Sequence, residues 1–147
     1  MKIDSETYRT MSEKDTFELG RKLSKVLKPG DTVSLEGDLG SGKTALTKGI
    51  AAGLGITDPI TSPTFTLVNT YEGMVTLHHF DVYRVDDPDE SLAIGWEEYF
   101  DGRAITVVEW GDKVPELLPA HTLHIRFERD IALPDVRTIL LERKSSE

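Results

Sequence analysis

The chain has 147 residues, 38% of them hydrophobic and 29% charged, and no apolar run approaches the ~20 residues that a membrane-spanning helix needs. It has no cysteine, which excludes disulfides, thiolate catalysis and cysteine-built zinc or iron–sulfur sites. Its 26 acidic and 17 basic residues give a net charge of −9, which disfavours independent binding to a nucleic-acid backbone. Its start contains acids and no apolar core, so we expect no signal peptide and a cytoplasmic protein without membrane association.

The sequence indicates a single domain. It shows no internal repeat, no low-complexity tract and no long linker. We therefore predict one domain over residues 1–147, and we expect the polar residues 142–147 to form a loosely held tail.

The first half of the chain predicts two helices around a strand. Ser12 can cap a helix that has Asp15 three residues further on, and apolar residues then recur at helical spacing up to a Pro-Gly pair. Residues 32–36 are rich in β-forming side chains and precede a glycine, which indicates a strand. Residues 43–54 carry an apolar stripe and precede Gly55, which indicates the second helix.

The second half predicts a hairpin, a helix and three more strands. Residues 65–71 and 74–80 flank a Glu-Gly pair, which is a hairpin signal and makes part of the sheet antiparallel. An Asp-Pro pair indicates a helix from residue 88 to about Phe100, with Leu92, Trp96 and Tyr99 buried. The first of the remaining strands is continuously apolar and is expected to be central. These strands are predicted at 104–110, 122–127 and 137–141, and the order of elements predicts an α/β sandwich with a mixed sheet.

Residues 37–44 form the most informative motif. Their sequence, Gly-Asp-Leu-Gly-Ser-Gly-Lys-Thr, matches the phosphate-loop pattern G-x-x-x-x-G-K-[ST] between a predicted strand and a predicted helix. The glycines let successive N–H groups point at phosphate oxygens, Lys43 can reach the β- and γ-phosphates, and the Thr44 hydroxyl suits magnesium. We therefore predict a nucleoside triphosphate site with magnesium, in a three-layer sandwich that is P-loop NTPase-like with a mixed central sheet.

Two carboxylates that follow predicted strands are candidates for the metal and for hydrolysis. Asp81 comes directly after the second strand of the hairpin, and Glu109 lies at the end of the apolar strand. One such acid can hold magnesium while the other orients or deprotonates an attacking water. The residues themselves do not decide which acid has which role.

Other nearby residues have simpler explanations. Ser62-Pro63-Thr64 could bring a hydroxyl to the γ-phosphate, although ordinary turn chemistry accounts for this segment. His78 and His79 are expected on opposite faces of one strand, so we expect one packed histidine, one exposed histidine and no paired metal site. Trp110 fits the core or a pocket wall better than a catalytic role.

Four segments together resemble the bacterial TsaE family, also called YjeE. They are the phosphate loop, Ser-Pro-Thr-Phe-Thr-Leu-Val at 62–68, His-Phe-Asp-Val-Tyr-Arg at 79–84 and Val-Glu-Trp at 108–110, and the similarity covers about residues 10–141. The resemblance implies a small cytoplasmic ATPase, weakly active alone, that uses ATP and Mg²⁺. It also implies that the protein acts with the TsaB and TsaD proteins to form threonylcarbamoyladenosine in tRNA. Because the chain is acidic, we expect no direct tRNA contact.

The resemblance also implies roles for single residues. Lys43, Asp81 and Glu109 would be catalytic, Thr44 and Glu109 would hold magnesium, and residues 62–65 would form a switch-like loop. Residues 12–16 and 132–133 would lie near the adenine. The residues expected to contact ATP or ADP are Asp38, Leu39, Gly40, Ser41, Gly42, Lys43, Thr44, Ala45, Thr64 and Trp110.

Three other functions fit the residues less well. A small-molecule kinase would use the same loop but usually needs an arginine-bearing lid, and no arginine-rich insertion is present. A GTPase-like module commonly has an Asn/Thr-Lys-x-Asp turn, which Asp112-Lys113 does not match. A partner-binding surface without chemistry is less favoured, because aromatic residues at these spacings are more often core. Its members would be Phe65, Phe80, Trp96 and Tyr99.

Overall fold

The computed structural model describes residues 5–37, 42–61, 63, 67–83, 85 and 95–143. These residues form seven strands, two α-helices and three short 3-10 helices. The strands are β1 (Ser5–Thr10), β2 (Thr32–Glu36), β3 (Val68–Tyr71), β4 (Leu77–Asp81), β5 (Ile105–Glu109), β6 (Leu123–Arg129) and β7 (Arg137–Arg143). The helices are α1 (Glu13–Ser24), α2 (Lys43–Gly53) and the 3-10 helices Trp96–Phe100, Gly111–Lys113 and Pro115–Leu117.

The strands form one mixed sheet in the order β1-β7-β6-β2-β5-β4-β3. The four central strands, β6, β2, β5 and β4, pair in parallel, whereas β7, β1 and β3 join through antiparallel pairing. Parallel strands end at the same edge, so β2, β4 and β5 present their carboxyl ends together. In open α/β sheets, ligands bind outside this edge.

Both α-helices cover one face of the sheet. At the start of α1, the Ser12 hydroxyl accepts a 3.2 Å hydrogen bond from the Asp15 N–H, as the sequence predicts. The two helices pack closely because Gly20 and Gly49 face each other, and a β-carbon on Gly49 would lie 2.0 Å from a carbonyl oxygen of α1. Apolar side chains between the helices and the sheet form the main core: Leu19, Leu23, Leu46, Ile50, Val33, Leu35, Val107, Ile125 and Ile139 are among them.

The 3-10 helices cover part of the opposite face. Phe80 of β4 and Val108 of β5 pack there in a second cluster with Trp96, and the ring centroids of Phe80 and Trp96 lie 4.6 Å apart. The indole N–H of Trp96 donates a 3.2 Å hydrogen bond to the Leu117 carbonyl oxygen, which joins two of the 3-10 helices. The predicted α/β fold with a mixed central sheet is confirmed.

Several predicted elements are confirmed, and others are corrected. β2 has the predicted bounds, α2 begins at the predicted residue, and β3 and β4 form the predicted hairpin. The sequence patterns missed β1, because this edge strand is polar and five of its six residues are exposed. Glu142 and Arg143 belong to β7 and pair with β6, so they are not part of a loose tail. Residues 144–147 lie outside the described residues.

The predicted helix at 88–100 is corrected at the part that the structure describes. Its described end, Trp96–Phe100, is a 3-10 helix, and Gly95 before it adopts φ 76°, which interrupts α-helical geometry. Trp96 is buried as predicted, whereas Tyr99 is only partly buried. Leu92 lies outside the described residues. None of the helices in the described ranges combines the length and apolar character that crossing a bilayer requires.

Candidate functional site

The ends of the parallel strands and the start of α2 meet at one edge of the sheet. Asp81 and Glu109, the last residues of β4 and β5, are register partners on neighbouring parallel strands, so their side chains leave the same face. A cavity of about 390 Å³ lies at this edge, which is large enough for a small ligand. Seven of the residues that line it come from the predicted site region: Gly42, Lys43, Thr44, Ala45, Asp81, Glu109 and Trp110.

The N-terminus of α2 opens toward this cavity. Gly42 precedes the helix with φ 107°, a left-handed conformation that favours glycine. Because glycine has no side chain, Gly42 supplies no capping group to the first N–H groups of the helix. The first turn of α2 has no acidic residue, so the positive end of the helix dipole is suited to an anion. The predicted phosphate contacts Asp38, Leu39, Gly40 and Ser41 lie outside the described residues.

Lys43 is almost fully buried, and its ammonium group lies between a carbonyl oxygen and an aromatic ring. Nζ donates a 2.7 Å hydrogen bond to the Gly37 carbonyl oxygen and lies 3.4 Å from the centroid of the Trp110 ring. Both partners present negative electrostatic potential to the cation. Lys43 is therefore held beside the phosphate loop, where the motif requires its charge.

The cavity lining contains four carboxylates and two cationic side chains. A triphosphate would add further negative charge next to Asp81 and Glu109, so this donor set is suited to a divalent cation between the phosphates and the carboxylates. Thr44 is exposed and lines the same cavity, and its hydroxyl is a hard oxygen donor of the kind that magnesium prefers. The residues predicted to hold magnesium therefore fit that ion.

Asp81 is hydrogen-bonded to Leu67, which lies two residues beyond the predicted switch-like segment 62–65. Its backbone N–H donates a 3.0 Å hydrogen bond to the Leu67 carbonyl oxygen, and its carboxylate accepts a 2.9 Å bond from the Tyr83 N–H. The N–H of Leu67, in turn, donates to the Pro63 carbonyl oxygen, 3.1 Å. Leu67, which directly precedes β3, therefore lies beside Asp81. Ser62 and the predicted contact Thr64 lie outside the described residues.

Trp110 reaches Lys43 through an uncommon backbone conformation. Its φ is 65°, and in the described part of the chain only Leu67, with φ 67°, is another non-glycine residue in this region. Such positions cost about 1–3 kcal/mol and concentrate at functional sites. The next residue, Gly111, packs so closely on Ser34 that a β-carbon there would lie 2.0 Å from the hydroxyl oxygen. Trp110 lines the cavity. The sequence favours either the core or a pocket wall for this residue, and the structure places it in the wall.

Residues of α1 and residues at and just before the start of β7 complete the cavity lining. Glu13 and Thr16 come from α1, and Asp135 and Arg137 come from the chain leading into β7. Two residues of the range 12–16, which the resemblance implies to lie near the adenine, therefore line the cavity. Residues 132–133, which the resemblance also implies near the adenine, are not among the residues that line it, and their N–H groups donate to the Asp130 carboxylate in a turn.

A residue that sequence reasoning did not assign to the site contacts Glu109. Nε2 of His79 lies 2.5 Å from Oε2 of Glu109, and both side chains are buried. His78, on the opposite face, is half-buried and shares a 2.9 Å hydrogen bond with Thr70, so it is not the exposed histidine that we expect. One signal for His79 was available: it precedes Asp81 by two residues, and strand alternation therefore points both to one face.

Comparisons with known proteins identify the family. Residues 10–138 match the family model described as "Threonylcarbamoyl adenosine biosynthesis protein TsaE". The "tRNA threonylcarbamoyladenosine biosynthesis protein TsaE" of Bacillus subtilis is 45% identical over 123 residues, which cover 83% of this chain and 77% of that protein. The protein of the same name from Treponema pallidum is 44% identical over 114 residues, which cover 78% and 84%.

A solved structure agrees with these sequence matches. The crystal structure of Bacillus subtilis YdiB superposes on this chain with a TM-score of 0.83 at 36% sequence identity. The superposition covers 99% of this chain and 89% of that one. The resemblance drawn from the four sequence segments is thereby confirmed, and the chain belongs to the TsaE family.

Proposed function

We propose that this chain binds ATP with magnesium in the cavity at the start of α2 and hydrolyses the ATP. The observation that carries the proposal is that Lys43 and Thr44 share one cavity of about 390 Å³ with Asp81 and Glu109. A loop lysine, a metal-binding hydroxyl and strand-end acids are the parts that phosphate-loop hydrolysis uses.

The four residues would divide the work. Lys43 stabilises negative charge on the β- and γ-phosphates, and Thr44 and Glu109 hold magnesium, which neutralises phosphate charge when it is bound. Asp81 orients or deprotonates the attacking water. The register pairing of Asp81 with Glu109 supports this division, because it places a second acid beside the metal-binding one.

We place this hydrolysis in the formation of threonylcarbamoyladenosine in tRNA, together with the TsaB and TsaD proteins in the cytoplasm. The family model and both relatives carry this pathway in their names. The net charge of −9 favours docking on a protein partner over direct contact with tRNA. ATP hydrolysis would then act on the protein assembly, while the tRNA is bound elsewhere.

Equilibrium binding of ATP to wild-type, Lys43→Ala and Lys48→Ala proteins tests the nucleotide site. Lys48 is an exposed lysine of the same helix and is the matched control. We expect Lys43→Ala to weaken binding about 10- to 100-fold, because a hydrogen bond to a charged group contributes about 1.5–3 kcal/mol. Lys48→Ala should bind like the wild type. Equal affinity in all three proteins would contradict the assignment.

Product analysis separates hydrolysis from the kinase alternative. Hydrolysis converts ATP and water to ADP and inorganic phosphate, with water as the acceptor of the phosphoryl group, so it needs no metabolite. If labelled ATP and a cell extract instead gave a phosphorylated metabolite that depended on Lys43, the kinase function would replace the ATPase.

A further inference from the structure

The contact between His79 and Glu109 joins two neighbouring parallel strands, β4 and β5. Asp81 is the register partner of Glu109, and His79 lies two residues before Asp81 on the same face of β4. His79 is therefore the diagonal neighbour of Glu109, a spacing that a long side chain can bridge. The 2.5 Å separation of Nε2 and Oε2 shows that it does so.

The proton of this hydrogen bond can be assigned from the chemistry of the pair. A carboxylate only accepts hydrogen bonds, so Nε2 must carry the proton and donate it to Oε2. Nδ1 of His79 is buried and has no hydrogen-bond partner among the described residues.

We propose that His79 is a positioning residue for the magnesium site, an inference that rests on the proposed function. By holding Oε2, His79 sets the orientation of the Glu109 carboxylate at the cavity wall. Among the described residues no other hydrogen bond reaches this carboxylate, so its orientation depends on His79. The second oxygen of Glu109 is then available for the cation. Groups that orient a metal-binding side chain in this way typically change metal affinity by about 10- to 100-fold.

A purely structural role for His79 makes a different prediction. His79 is 1% exposed, so its replacement could lower stability without any specific effect on the metal. In that case nucleotide affinity would fall equally with and without magnesium. A positioning role affects only the magnesium-dependent part of nucleotide binding.

The experiment compares His79→Asn, His79→Gln and the control His78→Asn. The amide N–H of Gln can take the place of Nε2–H, whereas Asn is one methylene shorter and does not reach Glu109. His78 is the neighbouring histidine on the opposite face of the same strand. For each protein, binding of a fluorescent, non-hydrolysable ATP analogue is titrated with MgCl₂ and is also measured in EDTA. Circular dichroism and thermal denaturation establish that the proteins are folded.

We expect His79→Asn to raise the magnesium concentration at half-saturation about 10- to 100-fold while its affinity in EDTA stays at the wild-type level. His79→Gln should recover most of the loss, and His78→Asn should match the wild type. The proposal is overturned if folded His79→Asn has the magnesium dependence of His79→Gln, or if its affinity falls equally in EDTA. If the wild type binds the analogue without any dependence on magnesium or Lys43, the proposed function fails, and this inference fails with it.

A second measurement observes the wild-type protein directly and does not require His79→Asn to fold. The Nε2-bound proton of His79 should give a downfield resonance in ¹⁵N-labelled protein, assigned by its loss in His79→Gln. With the ATP analogue bound, addition of MgCl₂ should shift this resonance, because Glu109 then also binds the cation. A resonance that does not change with magnesium would overturn the proposal even if His79→Asn does not fold.

Discussion

The ammonium group of Lys43 lies 3.4 Å from the centroid of the Trp110 ring and donates a hydrogen bond to the Gly37 carbonyl oxygen. A desolvated cation–π contact of this kind contributes about 2 kcal/mol or more. Phosphate oxygens bound by the loop would compete with these partners for Lys43. Nucleotide binding should therefore change the environment of the indole ring.

This relationship predicts a fluorescence change at Trp110. The chain has two tryptophans, and Trp96 packs against Phe80 in the cluster on the other face of the sheet. In a Trp96→Phe protein, addition of ATP with magnesium should change the remaining emission. In a Trp110→Phe protein, the same addition should have little effect. A change of equal size in both variants would show that Lys43 and Trp110 are not coupled through the nucleotide.

Asp81→Asn should separate binding from hydrolysis. The substitution keeps the size of the side chain and removes its charge, so nucleotide and magnesium should still bind. If Asp81 assists the attacking water, the hydrolysis rate should fall by about 10²- to 10⁴-fold. Single-turnover hydrolysis and equilibrium binding measure the two effects. An unchanged hydrolysis rate would show that Asp81 does not assist the attacking water.

Glu109→Gln should have the complementary effect. A neutral amide is a poor magnesium ligand, so the magnesium dependence of nucleotide binding should weaken, while affinity in EDTA should be retained. The magnesium titration described for His79 measures this directly. If Asp81→Asn shifted the magnesium dependence and Glu109→Gln did not, the two acids would exchange their roles.

Gly49→Ala should destabilise the fold through the helix pair. Its β-carbon would lie 2.0 Å from the Phe17 carbonyl oxygen, and backbone cannot move aside as a flexible side chain can. Overpacking costs about 1–3 kcal/mol, and a clash with backbone belongs at the upper end of this range. Alanine returns about 1 kcal/mol of helix propensity, so a net loss approaching about 2 kcal/mol is expected. Urea denaturation measures the change, with Lys48→Ala on the exposed side of α2 as the control. Equal stability of the two variants would mean that the helices can separate at no cost.

His78 should make stability depend on pH. Burial lowers the pKa of His78 below its ordinary value of 6.5, an effect that the nearby charges of Asp101 and Glu72 oppose. The unfolded chain therefore takes up this proton at a higher pH than the native protein does, and the free energy of unfolding falls as pH drops below about 6.5. Urea denaturation of wild-type and His78→Gln proteins at about pH 7.5 and about pH 5 tests this. The wild type should lose more stability over this interval, and an equal loss would contradict the effect.

The phosphate-loop region could be predicted because local sequence determines it. The motif requires a strand before it and a helix after it, and β2 and α2 begin and end close to the predicted residues. β1 escaped prediction because its formation depends on pairing with β7, far along the chain, and not on an apolar pattern of its own. The 3-10 helix Trp96–Phe100 was also not predicted. It begins after Gly95, whose left-handed conformation cannot be read from the periodicity of apolar residues.

The candidate site was predictable in its residue types more than in its contacts. Asp81 and Glu109 could be predicted as site residues because they lie at the ends of predicted strands. Their pairing could not be predicted, because it depends on the parallel register of β4 with β5. The contact of His79 with Glu109 follows from the same register, as does the burial of both side chains. Spacing along one strand gives the face of a side chain but not its partner on the next strand.

The most direct test of the account is the rate of ATP hydrolysis with and without the TsaB–TsaD pair, in the wild type and in Lys43→Ala. The account predicts slow hydrolysis by the wild type alone, a clear increase when the pair is added, and no increase for Lys43→Ala. A wild-type rate that the pair leaves unchanged, or equal stimulation of Lys43→Ala, would contradict it.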